Sequence, residues 1–425
     1  MHPSPLAMKP LRAALACTLF AVCTQVATAA DWPQWLGSAR DGVAGPTEKP
    51  LKKLPGELKA SWRINVGGGF SSPVLAGGKL VYMDEDGANE VVHLIDAATR
   101  NEIWKKPLAE KFQDEWGAGP RSTPMLDGDR VYVQSCNGEF RCLKLSNGET
   151  VWSVNFEKDF GVRFLGSKAQ EGTASRRGNN GCGIVDGAHV VVPVGSTSGA
   201  SVVCFDKLTG KIVWKALSDE AAYSSLKVAA FGGVRQVVAF TGDALSGIER
   251  NTGAVLWRVP LKTNAKRHAA TPMIWDNFVA VNSHTFGQIC FRIVQTEAGF
   301  KAERAWENPA TKINVATPIK VNGFFYGHGP TRNFICVDAG TGEVKWTAPG
   351  FGKEVSSTLA VGSTLLVLTD DGQLVQIAAD SKSYQELARI QVAGKNWNYP
   401  AFADGKLYVR DQRELICYDL VAAAK

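Results

Sequence analysis

Polar and aromatic side chains recur three or four residues ahead of one repeated position in the chain. That position is proline at 73, 124, 272, 318 and 400, and another residue at 183, 226 and 358. The side chains ahead of it that could bind a ligand are Arg121, Asn180, Tyr223, His268, Asn314, Glu354 and Trp397. Such groups can hydrogen-bond a polar ligand, and aromatic rings can stack on it. Two interpretations stay open: a polar ligand site, or a solvated rim of loops whose polarity has no function.

Signatures of catalysis are missing from the sequence. It contains no Cys-x-x-Cys-His haem attachment, no histidine pair at metal spacing, no Gly-x-Ser-x-Gly elbow and no phosphate loop. Three glycines at 67–69 follow a predicted strand and are expected to form a connector. The residues therefore predict no catalytic side chain, no metal site and no cofactor.

A repeat must position the candidate side chains, and its clearest copy is the phrase Asp-x-x-Thr-Gly-x-x-x-Trp at 338–346. Related copies place tryptophans 40 to 62 residues apart, at Trp62, Trp104, Trp152, Trp214, Trp257, Trp306 and Trp346. Within one repeat, three turn signals separate four short β runs. Four antiparallel strands at this period are typical of a propeller blade. We expect the aspartate to bond the turn backbone, the glycine to supply a positive φ, and the tryptophan to pack against the next blade.

The two ends of the chain complete one another. A lone outer strand surrounds Trp62, three strands follow residue 400, and Leu387 replaces the tryptophan of an eighth outer strand. Closing the ring with the N-terminal strand would remove the exposed sheet edges. We therefore predict an all-β fold, an eight-bladed β-propeller in which the N-terminal outer strand completes the last blade.

The segments outside the repeats give further expectations. Residues 1–30 have the charged start, apolar centre and small-residue end of a signal peptide, cleaved near Ala29 or Ala30, which predicts a periplasmic or secreted protein. Residues 31–57 should pack on the propeller through Trp32 and Trp35, and 58–425 should form one propeller. The 62-residue interval contains an insertion at 155–180, rich in glycine and basic residues, whose role in function or as decoration stays open.

Charge and cysteine content exclude some classes of partner. The net charge of +6 falls to +4 without residues 1–30, a balance that gives no argument for nucleic acid. No later stretch is apolar enough for a membrane span. Cys142, Cys204 and Cys336 lie ten residues before a repeat tryptophan, so the fold should keep them apart as buried, free cysteines. We expect a monomer that binds a protein or a small polar ligand.

The repeated phrase resembles the tryptophan-docking motif of the pyrroloquinoline quinone (PQQ) β-propeller repeat family. That family includes quinoprotein alcohol dehydrogenases and the outer-membrane assembly factor BamB, and typically has eight blades. The resemblance covers nearly all of the chain after residue 30. The dehydrogenases hold the quinone against adjacent cysteines with a calcium ion, but this sequence has no two adjacent cysteines, so their catalytic aspartate and calcium ligands are not carried over. BamB is closer in length but usually lipid-anchored, and no lipobox is present here.

The leading expectation is a non-catalytic binding or scaffold protein with its ligand or partner at the channel mouth. The first alternative is a PQQ-dependent oxidoreductase, for which the resemblance leaves PQQ with calcium open. The second alternative is an outer-membrane protein assembly factor of the BamB type. The sequence favours a protein without enzymatic activity and leaves an enzyme open as the alternative.

Overall fold

Eight four-stranded antiparallel sheets form a ring, as the repeat predicts. The computed structural model describes residues 31–162, 178–263, 266–313 and 315–423. The predicted signal peptide, Asn314 and the basic residues Arg163, Lys168, Arg176 and Arg177 lie outside the described residues. Among the residues described, no helix is long and apolar enough to cross a membrane.

The blades are numbered 1 to 8 in chain order, each from its inner to its outer strand. Blade 1 contains the strands Val74–Ala76, Lys79–Asp86, Asn89–Asp96 and Glu102–Glu110, and blade 2 contains Met125–Asp127, Arg130–Gln134, Glu139–Lys144 and Thr150–Asn155. Blade 3 contains Ile184–Asp186, His189–Val192, Val202–Asp206 and Ile212–Ala216, and blade 4 contains Lys227–Phe231, Val234–Phe240, Ala244–Glu249 and Val255–Pro260. Blade 5 contains Met273–Trp275, Phe278–Ser283, Gly287–Thr296 and Gly299–Asn308, and blade 6 contains Ile319–Val321, Phe324–His328, Asn333–Asp338 and Val344–Pro349. Blade 7 contains Ser356–Val361, Thr364–Thr369, Gln373–Ala378 and Glu386–Gln391, and blade 8 contains Ala401–Ala403, Lys406–Arg410, Glu414–Asp419 and Trp62–Asn65.

The N-terminal strand closes the ring. Trp62–Asn65 pairs antiparallel with Glu414–Asp419, placing Trp62 opposite Cys417. This confirms the predicted closure. Because consecutive strands alternate in direction, each blade has its third-to-fourth turn at the end of the ring opposite the loop that leads into its inner strand. We name these two ends the docking face and the mouth face.

Tryptophans on the outer strands join neighbouring blades at the docking face. Each of six donates its indole Nε1–H to a backbone oxygen in the turn of the next blade, at 2.8 to 3.0 Å: Trp62 to Ala97, Trp104 to Leu145, Trp152 to Lys207, Trp214 to Arg250, Trp306 to Ala339 and Trp346 to Asp380. Asp206 Oδ1 accepts the amides of Leu208 and Thr209, as predicted for the turn aspartate. The repeated motif thus stabilises its own turn and also supplies the backbone acceptor for the tryptophan of the preceding blade.

The turn requires glycine for two physical reasons. Gly210 has a φ of +71°, and a Cβ there would lie 2.5 Å from Cδ2 of Trp152. A left-handed conformation disfavours other residues, and the ring of the preceding blade leaves no room for a side chain.

Trp257 is the exception among the predicted docking tryptophans. The next blade has a long hairpin, Gly287–Thr296 paired with Gly299–Asn308, instead of the docking turn. The indole of Trp257 donates to Gln236 Oε1 in its own blade, at 2.7 Å. Trp257 still packs with residues of blade 5 in one apolar cluster, but it makes no backbone bond across the blades.

Five cysteines have one structural role, as small residues opposite a tryptophan. They are Cys142, Cys204, Cys290, Cys336 and Cys417, which pair with Trp152, Trp214, Trp306, Trp346 and Trp62. All seven cysteines of the described chain are buried and free, so the prediction of no disulfide is confirmed. The ten-residue spacing missed Cys290, which lies on the long hairpin, and Cys417, whose partner lies at the other end of the chain.

In the part of the chain that the structure describes, helix is confined to short segments outside the blades. They are the α-helices Phe156–Phe160 and Leu420–Ala423 and the 3-10 turn Pro330–Arg332. Asn155 caps the first helix by accepting the amides of Glu157 and Lys158, and Gly161 ends it in a left-handed conformation. The described start of the 155–180 insertion is therefore helical. A two-stranded hairpin, Gln113–Asp114 with Gly117–Ala118, lies between blades 1 and 2.

The segment 31–44 crosses the central channel and reaches all eight blades at their inner strands or lead-in loops. The eight contacting residues, in blade order, are Leu75, Leu126, Gly183, Lys227, Thr271, Ile319, Ala360 and Tyr399. Inner strands present unpaired backbone groups to the channel, and the segment satisfies some of them. Trp32 pairs with Leu75 and Val43 with Ala360. The segment, called the plug below, thus closes the channel, and residues 48–54 continue onto blades 7 and 8.

Candidate ligand-binding site at the channel mouth

The loops that lead into the inner strands converge on a cavity of about 180 Å³ at the mouth face. The lining residues are Trp35, Phe70, Trp116, Arg121, Asn180, Cys182, Tyr223, Ser225, Arg267, Ala269, Val315, Glu354, Val355, Trp397 and Tyr399. Every blade contributes at least one of them. We name this space the mouth cavity.

One position of the repeat lines the mouth cavity in all eight blades. It is the third residue before the repeated proline position: Phe70, Arg121, Asn180, Tyr223, Ala269, Val315, Val355 and Trp397. Side chains alternate along an extended backbone, so the residue two places later points the same way. Cys182, Ser225 and Tyr399 at that later position form a deeper layer of the lining.

Five of the seven predicted site residues meet in this cavity: Arg121, Asn180, Tyr223, Glu354 and Trp397. Glu354 is one place further from the proline position and is exposed at the rim. Asn314 lies outside the described residues, and its neighbour Val315 lines the cavity. Ligand binding by these residues stays a prediction.

His268 does not line the cavity, which corrects its place in the predicted ring. It lies four residues before the proline, where alternation turns the side chain away from the channel. Its ring stacks on Phe240, with 4.1 Å between ring centroids, and its Nε2 donates to the Leu261 oxygen at 2.9 Å. Burial lowers the pKa of His268 to about 4, so the ring is neutral at pH 7. Its neighbours Arg267 and Ala269 line the cavity instead.

The plug contributes Trp35 to the lining. The Trp35 Nε1–H donates to Thr271 Oγ1 at 3.1 Å, and the ring packs edge-on against Tyr399, with centroids 4.5 Å apart. Both partners lie on lead-in loops, in blades 5 and 8. Trp35 therefore connects the plug to the deeper layer of the mouth cavity, a role that the sequence did not reveal.

One side of the cavity is a cluster of aromatic rings. Trp397 packs against Phe70 and Trp116, with ring centroids 5.6 and 5.2 Å apart. Trp116 comes from the hairpin between blades 1 and 2 and is 42% exposed. The Trp397 Nε1 is buried and has no hydrogen-bond partner within the described parts of the chain. The cluster thus combines flat apolar surface with an available donor.

Arg121 holds the hairpin beside this cluster. Its Nη1 and Nη2 donate to the two oxygens of Asp114, at 2.9 and 2.5 Å, and its guanidinium lies over the rings of Phe70 and Phe112. Burial is the largest single influence and lowers the pKa of Arg121, but the hydrogen bonds to Asp114 together with the charges of neighbouring groups raise it above its ordinary value. The bidentate pair fixes the orientation of the guanidinium at the cavity wall.

The residue types define what the mouth cavity can recognise. Six aromatic side chains offer stacking surface: Trp35, Phe70, Trp116, Tyr223, Trp397 and Tyr399. Among the described lining residues, Arg267 supplies positive charge, Arg121 is paired with Asp114, and Glu354 is the one carboxylate. This combination suits a flat or aromatic group that carries hydrogen-bond acceptors or negative charge.

Comparison with known proteins places this architecture in a family. A family model described as outer membrane protein assembly factor BamB matches residues 88–348, more than half of the chain. The chain belongs to this PQQ-like propeller family. The search of curated proteins finds no match.

Solved structures from two branches share the fold. BamB from Moraxella catarrhalis is 14% identical, with a TM-score of 0.57 over 85% of this chain and 97% of that one. A europium-containing methanol dehydrogenase is 10% identical, with a TM-score of 0.63 over 89% of each chain. The quinohemoprotein alcohol dehydrogenase ADHIIG from Pseudomonas putida HK5 is 13% identical, with a TM-score of 0.60 over 93% of this chain and 81% of that one. At these identities the likeness shows the fold alone.

The described residues do not fit a calcium-bound quinone site. Calcium takes six to eight oxygen ligands, several of them carboxylates. In the cavity, Glu354 on blade 7 and Asn180 on blade 3 lie on opposite sides of the eight-membered ring, and no group of three or more His, Cys, Asp or Glu among the described residues could hold a metal ion. The aromatic rings and arginines could hold a flat anion, but they supply no calcium cage.

Proposed function

We propose that this protein is an exported PQQ-like β-propeller that binds a ligand or partner in the mouth cavity without transforming it. The observation that carries the proposal is the lining, to which every blade contributes and which contains six aromatic rings, one of them Trp397 with its buried donor. Arg121 is already committed to Asp114, which suits a fixed recognition group better than a proton carrier. No described hydrogen bond within the lining joins a nucleophile to a general base.

The test compares the species that remain bound to the purified protein. The tagged chain is isolated gently from the cell envelope as wild type, Trp397→Ala and Ile212→Ala, and each sample is analysed by native mass spectrometry. Ile212 is an exposed apolar control on the outer strand of blade 3. We expect the bound species in wild type and Ile212→Ala and its loss in Trp397→Ala. Equal recovery from both variants would contradict binding in the mouth cavity.

The oxidoreductase alternative has its own test. Purified protein is titrated with PQQ and calcium while the quinone absorbance and alcohol-dependent dye reduction are followed. The binding proposal predicts no dye reduction and no dissociation constant below about 10 μM, which corresponds to roughly 7 kcal/mol. Tight binding that is lost in Arg121→Ala, together with turnover, would establish the oxidoreductase instead.

The family match supports outer-membrane protein assembly as a second candidate function. In this case the partner in the mouth cavity is a protein of the assembly machinery or one of its clients. A crosslinked pull-down should recover outer-membrane proteins with wild type and Ile212→Ala, and fewer with Trp397→Ala. Recovery of none in any sample would remove this candidate and leave the small-ligand form of the proposal.

A further inference from the structure

Two buried cations lie in the channel, outside the lining of the mouth cavity. Arg40 is on the plug and is 2% exposed, and Lys227 begins the inner strand of blade 4 and is 8% exposed. Lys227 Nζ donates to the backbone oxygens of Arg40 and Ala39, at 2.5 and 3.3 Å. Neither cation forms an ion pair with a carboxylate in the described structure. Buried charges are normally paired, because desolvation strongly disfavours them.

One edge of the Arg40 guanidinium is unused. Its Nη1 donates to Gln34 Oε1 at 3.2 Å and to the Gly183 oxygen at 2.6 Å. Its Nε and Nη2 are buried and have no hydrogen-bond partner among the described residues. These two nitrogens form the edge of an arginine that donates two parallel N–H groups, the geometry with which arginine binds anions. The edge is therefore a preformed donor pair within the channel.

Arg410 shows how the same fold compensates another buried arginine. It is 0% exposed, and its two terminal nitrogens donate to the oxygens of Ser71, Gly67 and Gly68. Burial lowers the pKa of Arg410 to about 10, and the nearby carboxylates Asp84, Asp411 and Glu85 oppose that effect. Acids of the chain thus offset part of the cost of burying Arg410.

Arg40 lacks that balance. Burial also lowers its pKa to about 10, and within the described residues the opposing influence comes from the sulfur of Cys182. Burial and then the charge of Arg40 lower the pKa of Lys227 to about 8, with weak opposition from the exposed Asp41. Two positive groups therefore disfavour each other at a site that contains an unused pair of donors.

We propose that a small monovalent anion of halide size binds in the channel at the Nε and Nη2 edge of Arg40, with Lys227 adding to the positive potential. The anion satisfies both donors and offsets the two buried charges. A halide fits better than a phosphate or a sulfate, because the edge offers two donors and the oxygens of a larger anion would need more. The site would stabilise the plug that carries Trp35.

The direct test is crystallographic. Crystals of the protein grown in sodium bromide should show an anomalous bromine peak within hydrogen-bonding distance of Arg40 Nε and Nη2. Peaks confined to exposed lysines, with none at Arg40, would overturn the proposal. Bromide is also the probe for solution measurements, in which sodium gluconate of matched ionic strength serves as the reference.

In solution, ligand linkage predicts that bromide raises the melting temperature of wild type. Lys227→Met should weaken apparent bromide affinity about tenfold, or roughly 1.4 kcal/mol, and Arg40→Met should abolish the bromide effect. Lys262→Met, which alters an exposed lysine, should keep it. Cys182→Ala should also keep it; a bromide effect that appears only in Cys182→Ala would assign the balancing charge to the cysteine sulfur, and absence of the effect in wild type would refute the anion site. If Arg40→Met does not fold, Lys227→Met and Cys182→Ala still decide the question.

Discussion

The two faces of the propeller are built by opposite rules. On the docking face, six blades repeat one contact, an indole donating to the turn of the next blade, and in four of these turns a glycine leaves room for the indole. On the mouth face, one backbone position lines the cavity in all eight blades, but its side chain differs in most of them. Repetition serves stability, because each interface has the same geometry. Variation serves recognition, because a ring of unlike groups is specific.

The mouth face also contains charges that stability alone would not favour. Glu90 is 0% exposed at the start of the third strand of blade 1, where burial raises its pKa to about 7. The docking face instead keeps its turn aspartates partly exposed and hydrogen-bonded, which lowers the pKa of Asp96 to about 2, chiefly through the Thr99 amide. The difference indicates that the mouth face has been shaped by a requirement other than folding.

The largest expected effect of a single substitution is on the docking face. Trp152→Ala removes a buried indole and its bond to Lys207, and should lower the free energy of unfolding by about 3 to 5 kcal/mol. Trp116→Ala, at the mouth face, should change it by no more than about 0.5 kcal/mol, because Trp116 is 42% exposed. Urea denaturation measures both. Similar losses in the two variants would erase the distinction between the faces.

The next effect concerns pH and Glu90. Its folded pKa of about 7 lies above the ordinary 4.5, so its contribution to stability is complete below pH 4.5 and is lost as pH rises through 7. The shift corresponds to about 3 kcal/mol. Glu90→Gln should therefore gain stability relative to wild type between pH 5 and pH 8. Denaturation at both pH values measures the difference, and an unchanged difference would show that Glu90 is not destabilised when charged.

A smaller effect separates two glycines that both have positive φ. Gly210→Ala adds a collision with Trp152 to the backbone strain, whereas Gly128→Ala, with φ of +56°, places its Cβ in open space. Gly210→Ala should lose about 1 to 3 kcal/mol more than Gly128→Ala, since overpacking adds to the shared strain. Equal losses would mean that the turn glycine is needed only for its backbone conformation.

The fold could be predicted from the sequence because the residues that determine it recur at regular intervals. The tryptophan phrase fixed the number of blades, and Trp62 standing alone before the first blade predicted the closure seen in its pairing with Cys417. Trp257 escaped prediction because its docking depends on the next blade, which replaces the turn by a long hairpin.

The candidate site was only partly accessible. Residues three and four places before the proline were grouped together, although alternation along an extended chain separates them, and this error brought in His268. Taking only the residue three places before the proline position would have identified a lining residue in every blade. Trp35 and Arg40 could not be found in this way, because the plug is not part of the repeat and its path through the channel depends on contacts with all eight blades.

Site-specific photocrosslinking most directly tests the claim that recognition belongs to the mouth face. The photoreactive residue p-benzoylphenylalanine replaces Val315, which is 37% exposed in the mouth cavity, or Ile212, which is 47% exposed on an outer strand. After irradiation of intact cells, adducts are identified by mass spectrometry. We expect a defined adduct from position 315, loss of this adduct when Trp397→Ala is introduced as well, and no adduct from position 212. The same adducts from both positions, or an adduct from 212 alone, would contradict it.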